Sequence, residues 1–486
     1  QVAEAKGVPI LRRGEVLAQV ADEKKLVGVA GSHGKTTVTA MIVAALKANG
    51  VEPAFVLGGL WADAAIAPAA TSESEWLIAE IDESDGTIEH FSPDITVIVN
   101  FDWDHADRYD STAKLEETFA SLVVRTRSVV LGPAGDASIE KLLGVQGGTA
   151  TRETFGPTGG FDLVAVSSQR KGLMLSLGGQ FASAAAEVAA GGQFNALNAT
   201  AALAALQVMG VGSSPVGLAR FPGVHRRQAT LFEDGELVVM EDYAHHPAEI
   251  AALLTAIRER MGTRDRLVVV FQPHRFSRTQ RFKQDFARAL NLADVVHLRD
   301  VYPAGEAPID GGYTTDLAAV LAKSHAEQPL EFVPGNLEEA MAVLRRDVRP
   351  GDWVIFVGAG DIEVEARAFA EALRVSEENR GEWAEFAETL RLRLSEGAKI
   401  EVDEPLAKKT TMRVGGTARV YVEPASVADL QEVLRDAHQR GLPFYLLGRG
   451  SNLLVPDEGV DGVVVSLRKP VWETFAVLDN GRVRVG

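Results

Sequence analysis

The chain contains no cysteine. Disulfides, thiolate metal sites and cysteine nucleophiles are therefore excluded, and a reducing compartment is compatible with the sequence. No apolar run reaches the length needed to cross a bilayer, so membrane insertion is not expected. Positive charge is scarce: 49 Lys and Arg stand against 67 Asp and Glu, a formal net charge of −18. A general nucleic-acid surface needs clustered cations and is not expected here, whereas a local basic pocket for a small phosphorylated ligand is compatible. The hydrophobic fraction of 46% and charged fraction of 24% carry no disordered or fibrous bias. At 486 residues the chain exceeds what one core organises and implies two to four domains. It starts at Gln1 and stops at Gly486 beside a strand-like stretch, 482–485, so both ends are expected to lie inside a longer chain.

What is present is a strand, a turn and a helix start. Residues 27–37 read Val-Gly-Val-Ala-Gly-Ser-His-Gly-Lys-Thr-Thr. Gly31 and Gly34 let the backbone turn its amides toward phosphate oxygens, and the helix from Thr36 aims its positive end there. Lys35 supplies a mobile cation, and Thr36 can place its hydroxyl on Mg²⁺. Ser32, His33 and Thr37 complete the expected nucleotide contact. The generic phosphate loop has glycine where Val29 stands, so a narrower variant of that pattern is needed.

Apolar strand-like runs alternate with alanine-rich helical stretches, the pattern of parallel sheets wrapped by helices. The expected fold class is α/β. A P-loop-type central ATPase domain is expected over 26–218, with strands at 76–81 and 95–99, a β insertion at 163–177 and a helix at 195–209. A Rossmann-like α/β domain follows over 219–375, with strands at 237–240, 267–271, 295–298 and 353–357. The charged stretch 376–398 is expected to be a linker helix, because Trp383, Phe386, Leu390 and Leu394 fall on one face. From 399 to 486, short strands at 418–422, 444–447 and 462–467 around one helix indicate a partial α+β module.

The chemistry concentrates where these strands end, the edge at which open parallel sheets bind ligands. Glu80 closes one strand in Glu80-Ile-Asp-Glu-Ser-Asp85, and His105 follows the next in Asp102-Trp-Asp-His105. Hard Mg²⁺ takes oxygen ligands, so Thr36 and Glu80 suit an ion bridging phosphates, with His105 on a second ion. Alternatively Glu80, Asp82, Glu83 and Asp85 form a solvated loop and His105 is a capping residue.

Together, Gly31-Ser-His-Gly-Lys-Thr-Thr37, Glu80 to Asp85 and Asp102 to His105 resemble the Mur ligase family of peptidoglycan synthesis. Phe221-Pro-Gly-Val-His-Arg-Arg-Gln228, Asp242-Tyr-Ala-His-His-Pro247, Phe271-Gln-Pro-His-Arg-Phe-Ser-Arg-Thr279, Val301-Tyr-Pro-Ala-Gly-Glu306 and the run 351–361 resemble its branch that adds L-alanine to UDP-N-acetylmuramate. The resemblance covers about residues 1–370, with 1–25 similar to the tail of the family's UDP-binding N-terminal domain. It implies a cytoplasmic enzyme in which ATP phosphorylates the muramyl carboxylate and the alanine amine then displaces phosphate. It also implies Lys35 and His105 in catalysis, Asn195 and Asn198 at adenine, and Asp242 at the ribose. Tyr243, His245 and His246 would form a closing loop. His274, Arg275 and Arg278 would surround the alanine carboxylate and the anionic intermediate. Arg226 and Arg227 would meet substrate phosphates or hinge carboxylates. Other readings stand beside these: Asn198 as a helix N-cap, and Arg275, Arg278 and Arg281 as an exposed helix face paired with Asp285. Gly358-Ala-Gly-Asp361 resembles half a dinucleotide fingerprint, for which a turn into a helix is sufficient.

Downstream, Lys409-Thr-Thr-Met-Arg-Val-Gly-Gly416 and Leu447-Gly-Arg-Gly-Ser-Asn-Leu-Leu454 resemble the start of the UDP-N-acetylenolpyruvoylglucosamine reductases, a family of FAD enzymes that use NADPH. Gly448, Gly450 and Ser451 would give amides to the flavin pyrophosphate, with Asn452 fixing the turn. The whole is expected to be a ligase fused to the beginning of a reductase. A nucleotide-gated regulatory protein and another phosphate-loop enzyme such as a kinase are the competing readings. Oligomeric state is open.

Overall fold

The computed structural model describes residue 6 and residues 10–485, apart from 84–85, 103–108, 110, 170–171, 212–216, 325–328, 333–334, 336, 449, 451–452, 458, 474 and 478–481. Two compact units divide the chain, Gln1–Phe369 and Ala370–Gly486. Among the described residues no helix is long and apolar enough to cross a membrane.

The first unit contains two sheets. In the ten-stranded one, β1 (Lys25–Ala30) lies between β2 (Trp76–Glu80) and β3 (Ile95–Ile98), parallel to both. Five of the six β1 residues are buried, as a central parallel strand covered on both faces requires. One face carries α1 (Lys35–Ala48) and α2 (Gln193–Val208), where Val38, Met41 and Ile42 meet Ala199, Ala202 and Ala205. The small alanines let the two helix backbones approach closely. The other face is closed by Ile88, Phe91, Leu115, Phe119, Leu122 and Ile139. The stretch read as a β insertion forms strands Phe161–Gln169 and Gly172–Gly179, which extend this same sheet rather than standing apart from it.

The second sheet has six strands. From one edge the order is Ala229–Glu233, β4 (Val238–Asp242), β7 (Asp352–Val357), β5 (Arg266–Phe271), β6 (Val295–Leu298) and Leu330–Phe332. All are parallel except the first. α3 (Pro247–Arg258) follows β4 and α4 (Phe276–Leu290) follows β5, so the turns leading into both helices open on the carboxyl edge of the sheet. Its core includes Met240, Leu254, Val269, Phe271, Phe286 and Ile355.

In the second unit, β8 (Lys399–Pro405), β9 (Thr417–Glu423), β11 (Val460–Ser466) and β10 (Phe444–Leu447) form a four-stranded sheet in that order. Trp383, Phe386 and Leu390 pack with Val420, Val433 and Val465 beneath it. These three belong to α5 (Ile362–Arg393), which begins well before the expected start at 376. The reason is local: Ala366, Phe369 and Ala370 continue a buried face through helix-forming residues, and the single Gly381 costs only about 1 kcal/mol.

Candidate active site

The phosphate loop leaves β1 and enters α1 at the carboxyl edge of the first sheet. Gly31 has φ 140°, and a Cβ there would lie 3.0 Å from the Asn100 carbonyl oxygen. Gly34, at φ 81°, precedes the first turn of α1. Asn100 holds the loop from the neighbouring strand end: its Oδ1 accepts from the His33 amide at 2.9 Å and its Nδ2 donates to the His33 carbonyl at 2.9 Å. Ser32 Oγ donates to the Asp102 carbonyl at 2.7 Å. The Lys35 ammonium donates to the Gly31 carbonyl at 2.7 Å and to both Glu83 oxygens at 3.0 and 2.8 Å. Thr37 is buried in the first turn.

Thr36 Oγ1 donates to Glu80 Oε2 at 2.9 Å. Glu80 Oε1 is buried with no hydrogen-bond partner, and a Cβ on Gly58 would fall 1.7 Å from it. Burial pushes the Glu80 carboxyl above its ordinary range, against the lowering effects of Thr36 and Lys35. A hydroxyl beside a buried carboxylate fits a hard divalent cation that keeps waters and phosphate ligands. His105, the other expected ligand, lies outside the described residues, as do Asp85 and Asp104. Among the described residues no group of three His, Asp or Glu side chains converges as a metal site. Glu83 is no solvated loop residue: its side chain is 1% exposed and its backbone carbonyl accepts from Tyr109 Oη at 2.7 Å. Burial raises its carboxyl too, with Lys35 opposing.

Asn195 and Asn198 are both buried on α2. Asn195 Nδ2 donates to the Gly191 carbonyl at 2.9 Å, and its Oδ1 accepts from Asn198 Nδ2 at 3.1 Å. The capping alternative for Asn198 fails, because α2 starts at Gln193 with Gly192 as its cap. A Cβ on Gly34 would lie 3.2 Å from Asn198 Oδ1, so this side chain stands directly against the loop.

The second sheet presents the turn after β4. Both Asp242 oxygens accept backbone amides, from Gln228 at 2.8 Å and Ala244 at 2.7 Å, and burial pushes its carboxyl up to about 6. The Tyr243 ring lies under two guanidinium groups, with Arg226 at 4.7 Å and Arg227 at 5.1 Å from its centroid. Arg226 also donates to the Gly358 and Gly360 carbonyls at 2.8 and 2.9 Å and pairs with Glu363 at 3.3 Å. The glycine turn after β7 is therefore a capped entry into α5, with Arg226 as its clasp. His246 packs edge-on against Phe282, while the His245 ring lies 5.4 Å from Tyr243 and 5.7 Å from His274. Burial holds His245 below its ordinary range, opposed by Glu249.

After β5, His274 stacks on Tyr302 with ring centroids 5.6 Å apart, and its Nδ1 faces Arg278 Nη1 at 3.3 Å. Burial, with His245, Arg278 and Arg275 adding, lowers its pKa to about 4, so the ring is neutral at pH 7 and accepts the guanidinium proton. Arg275 has φ 70°, a conformation costing about 1–3 kcal/mol for a residue with a Cβ. It is held by its amide bond to the Tyr302 carbonyl at 2.8 Å. Its Nε is buried without a hydrogen-bond partner, and its guanidinium reaches Glu306 at 4.0 Å. The exposed-face alternative fails for Arg275 and Arg278, which are half-buried; Arg281 is exposed as that reading has it, but Asp285 pairs with Arg288.

Two contacts were missed at the level of sequence. Asn100 offers no motif of its own. Glu249 had a signal, since it stands three residues after His246 as in a capping box. Its Oε2 accepts from the His245 and His246 amides at 2.9 and 3.0 Å, while its Oε1 meets His33 Nδ1 at 2.9 Å. Burial would raise this carboxyl, but His33, His245 and the amides hold it well below the usual carboxylate range.

In the second unit the two singled-out segments meet. The Thr411 amide donates to the Gly450 carbonyl at 3.0 Å, and Arg468 reaches the carbonyls of Gly448 and Lys409. Gly450 has φ 65°, and a Cβ would lie 2.8 Å from the Lys409 carbonyl oxygen. Thr410 Oγ1 is buried without a partner beside this turn, which fits a pyrophosphate oxygen. Ser451 and Asn452 lie outside the described residues.

Comparison with known proteins gives these sites a family. Residues 29–206 match the Mur ligase middle domain and residues 225–360 match the Mur ligase, glutamate ligase domain. The UDP-N-acetylmuramate–L-alanine ligase of Dinoroseobacter shibae is 34% identical over 374 residues, 74% of this chain and 79% of that one. The corresponding protein of Methylococcus capsulatus is 35% identical over 386 residues, 76% of this chain and 80% of that one. The chain belongs to the Mur ligase family. The crystal structure of a UDP-N-acetylmuramate–alanine ligase from Thermotoga maritima, 30% identical, aligns with a TM-score of 0.65 over 77% of this chain and 81% of that one. Lys35, Thr36 and Glu80 fall within the middle-domain match of this Mur ligase, and the 242–247 turn, His274, Arg275 and Arg278 within the glutamate ligase domain match. Residues 418–486 of the Mur ligase match an FAD binding domain, which takes in Gly448 and Gly450.

Proposed function

We propose that this Mur ligase joins L-alanine to the carboxylate of UDP-N-acetylmuramate at the expense of ATP, through an acyl-phosphate, in the cytoplasm where ATP is at hand. The observation that carries the reading is the pairing of a phosphate loop with a second, cationic strand end in one unit. Lys35 and the α1 amides bind the phosphates, and Asn195 and Asn198 would read the adenine. Lys35 must exchange Glu83 for a phosphate oxygen, a like-for-like swap of one anionic partner. Mg²⁺, held by Thr36 and Glu80, would neutralise charge on the transferring phosphoryl group.

Arg275 and Arg278 orient the alanine carboxylate, since a guanidinium fork matches a carboxylate in geometry. The Arg275 Nε, buried and unpaired, is one donor ready for that anion. The neutral His274 accepts from Arg278 and so fixes that guanidinium for the alanine carboxylate. Tyr243, His245 and His246 close over the nucleotide, with Asp242 shaping their turn. Arg227 would meet a substrate phosphate, whereas Arg226 is committed to the Gly358 turn and Glu363.

The C-terminal module would bind FAD through the 409–411 and 448–450 segments, as the start of a UDP-N-acetylenolpyruvoylglucosamine reductase that draws on NADPH. Bound FAD would supply hydride chemistry. The ligase reading is tested by phosphate release from ATP with UDP-N-acetylmuramate, with and without alanine. Release that depends on alanine and matches amide formation supports it. Alanine-independent hydrolysis would indicate a nucleotide switch, and an accumulating phosphorylated product a kinase.

A further inference from the structure

Glu249 makes more contacts than a helix cap needs. One carboxylate oxygen completes the start of α3 by accepting the His245 and His246 amides, which is what a capping box requires. The other leaves its own domain and meets the His33 side chain in the phosphate loop at 2.9 Å. Only 16% of the Glu249 side-chain surface is exposed, so water competes little for either oxygen. His33 is at the same time fixed by its backbone, through the two bonds to Asn100. Its other ring nitrogen faces Asp102 at 4.0 Å, and His245 Nδ1 lies 3.6 Å from Glu249 Oε2.

We infer that Glu249 is a positioning residue that ties the phosphate loop to the Tyr243–His246 turn, so that the two walls of the nucleotide site shift together. This rests on the nucleotide reading above. The path is short and contiguous: turn amides, Glu249 carboxylate, His33 imidazole, loop backbone. Moving the turn moves Glu249, and through His33 it moves the segment from which Lys35 reaches phosphate. A cap acting on α3 alone would stabilise the second sheet and leave the loop indifferent.

The test is a double-mutant cycle on the full chain, reading the ATP dissociation constant by calorimetry, the KM and kcat of ligation, and the unfolding temperature. His33→Ala removes the bridge and spares the cap; Glu249→Ala removes both; Glu249→Gln keeps an acceptor for the amides and an amide to face His33. Each alanine variant is expected to weaken ATP binding by about tenfold, the double variant no further, and Glu249→Gln to recover most of the loss. Multiplying effects, or His33→Ala binding ATP as tightly as wild type, would overturn the inference. If Glu249→Ala does not fold, the cycle of His33→Ala with Glu249→Asp decides the same question, because the shorter carboxylate cannot reach the turn amides and His33 together. Wild-type protein that binds no ATP would instead remove the nucleotide reading, and the inference with it.

Discussion

The Lys35 ammonium is bound to both oxygens of the buried Glu83 carboxylate, so the loop's mobile cation is held at a fixed station between Gly31 and Glu83. Lys35→Ala is expected to abolish ligation, because no other described side chain on the loop carries a permanent positive charge. Glu83→Gln should do two things. It lowers stability without nucleotide by about 1–3 kcal/mol, through a weakened buried charge-assisted bond, and it tightens ATP binding by removing a competitor. Denaturant titrations with and without ATP check both effects. A variant of unchanged stability and weaker ATP binding contradicts the station.

Glu80→Gln should shift the Mg²⁺ dependence of ligation to concentrations at least about tenfold higher, since a neutral amide is a poor ligand for a hard cation. The Thr36 bond can survive in the amide, so unfolding temperature serves as the control. Unchanged Mg²⁺ dependence would dismiss Glu80 as a ligand.

Arg275→Lys should raise the KM for alanine by about 10–100-fold and leave the ATP dissociation constant near wild type. Lysine keeps the charge but loses the planar fork. Equal losses for both substrates would place Arg275 in shape rather than in alanine recognition.

Asp242 gives a pH signature. Its carboxyl is raised to about 6 in the folded chain from an ordinary 3.8, so the folded state binds the extra proton between those values. Its contribution to stability is therefore greatest below pH 3.8 and is lost as pH rises through 6, by about 3 kcal/mol in all. The difference in unfolding free energy between wild type and Asp242→Asn should fall across that window and be flat above it. A difference that does not vary with pH would mean the carboxylate is ionised throughout.

Fold class and the strand-end position of the loop were legible because alternating apolar strands and alanine-rich helices carry their own periodicity. Glu80 and Thr36 could be paired from motif spacing, and they touch. The roles of Glu83 and Arg226 were not legible. Four acidic residues in six look solvated until the sheet buries one of them, and an arginine pair gives no sign of which member will turn back onto carbonyls. Glu249 illustrates the same limit: a capping glutamate is a local pattern, but its second oxygen answers to a residue far away in sequence. The start of α5 was missed for a different reason. Ile362 to Arg393 is one uninterrupted helical sequence, and the shift to high charge at 376 marks a change of surroundings without a change of backbone.

Asn100 spends both ends of its side-chain amide on the backbone of His33. The His33 amide proton is thereby withdrawn from any anion, and a phosphate must draw on the other amides of the loop. The loop also arrives already shaped. Ordering it is part of folding, so ATP meets a loop that has only to shift as a unit with the Tyr243–His246 turn, without its backbone being rebuilt before the phosphates are captured.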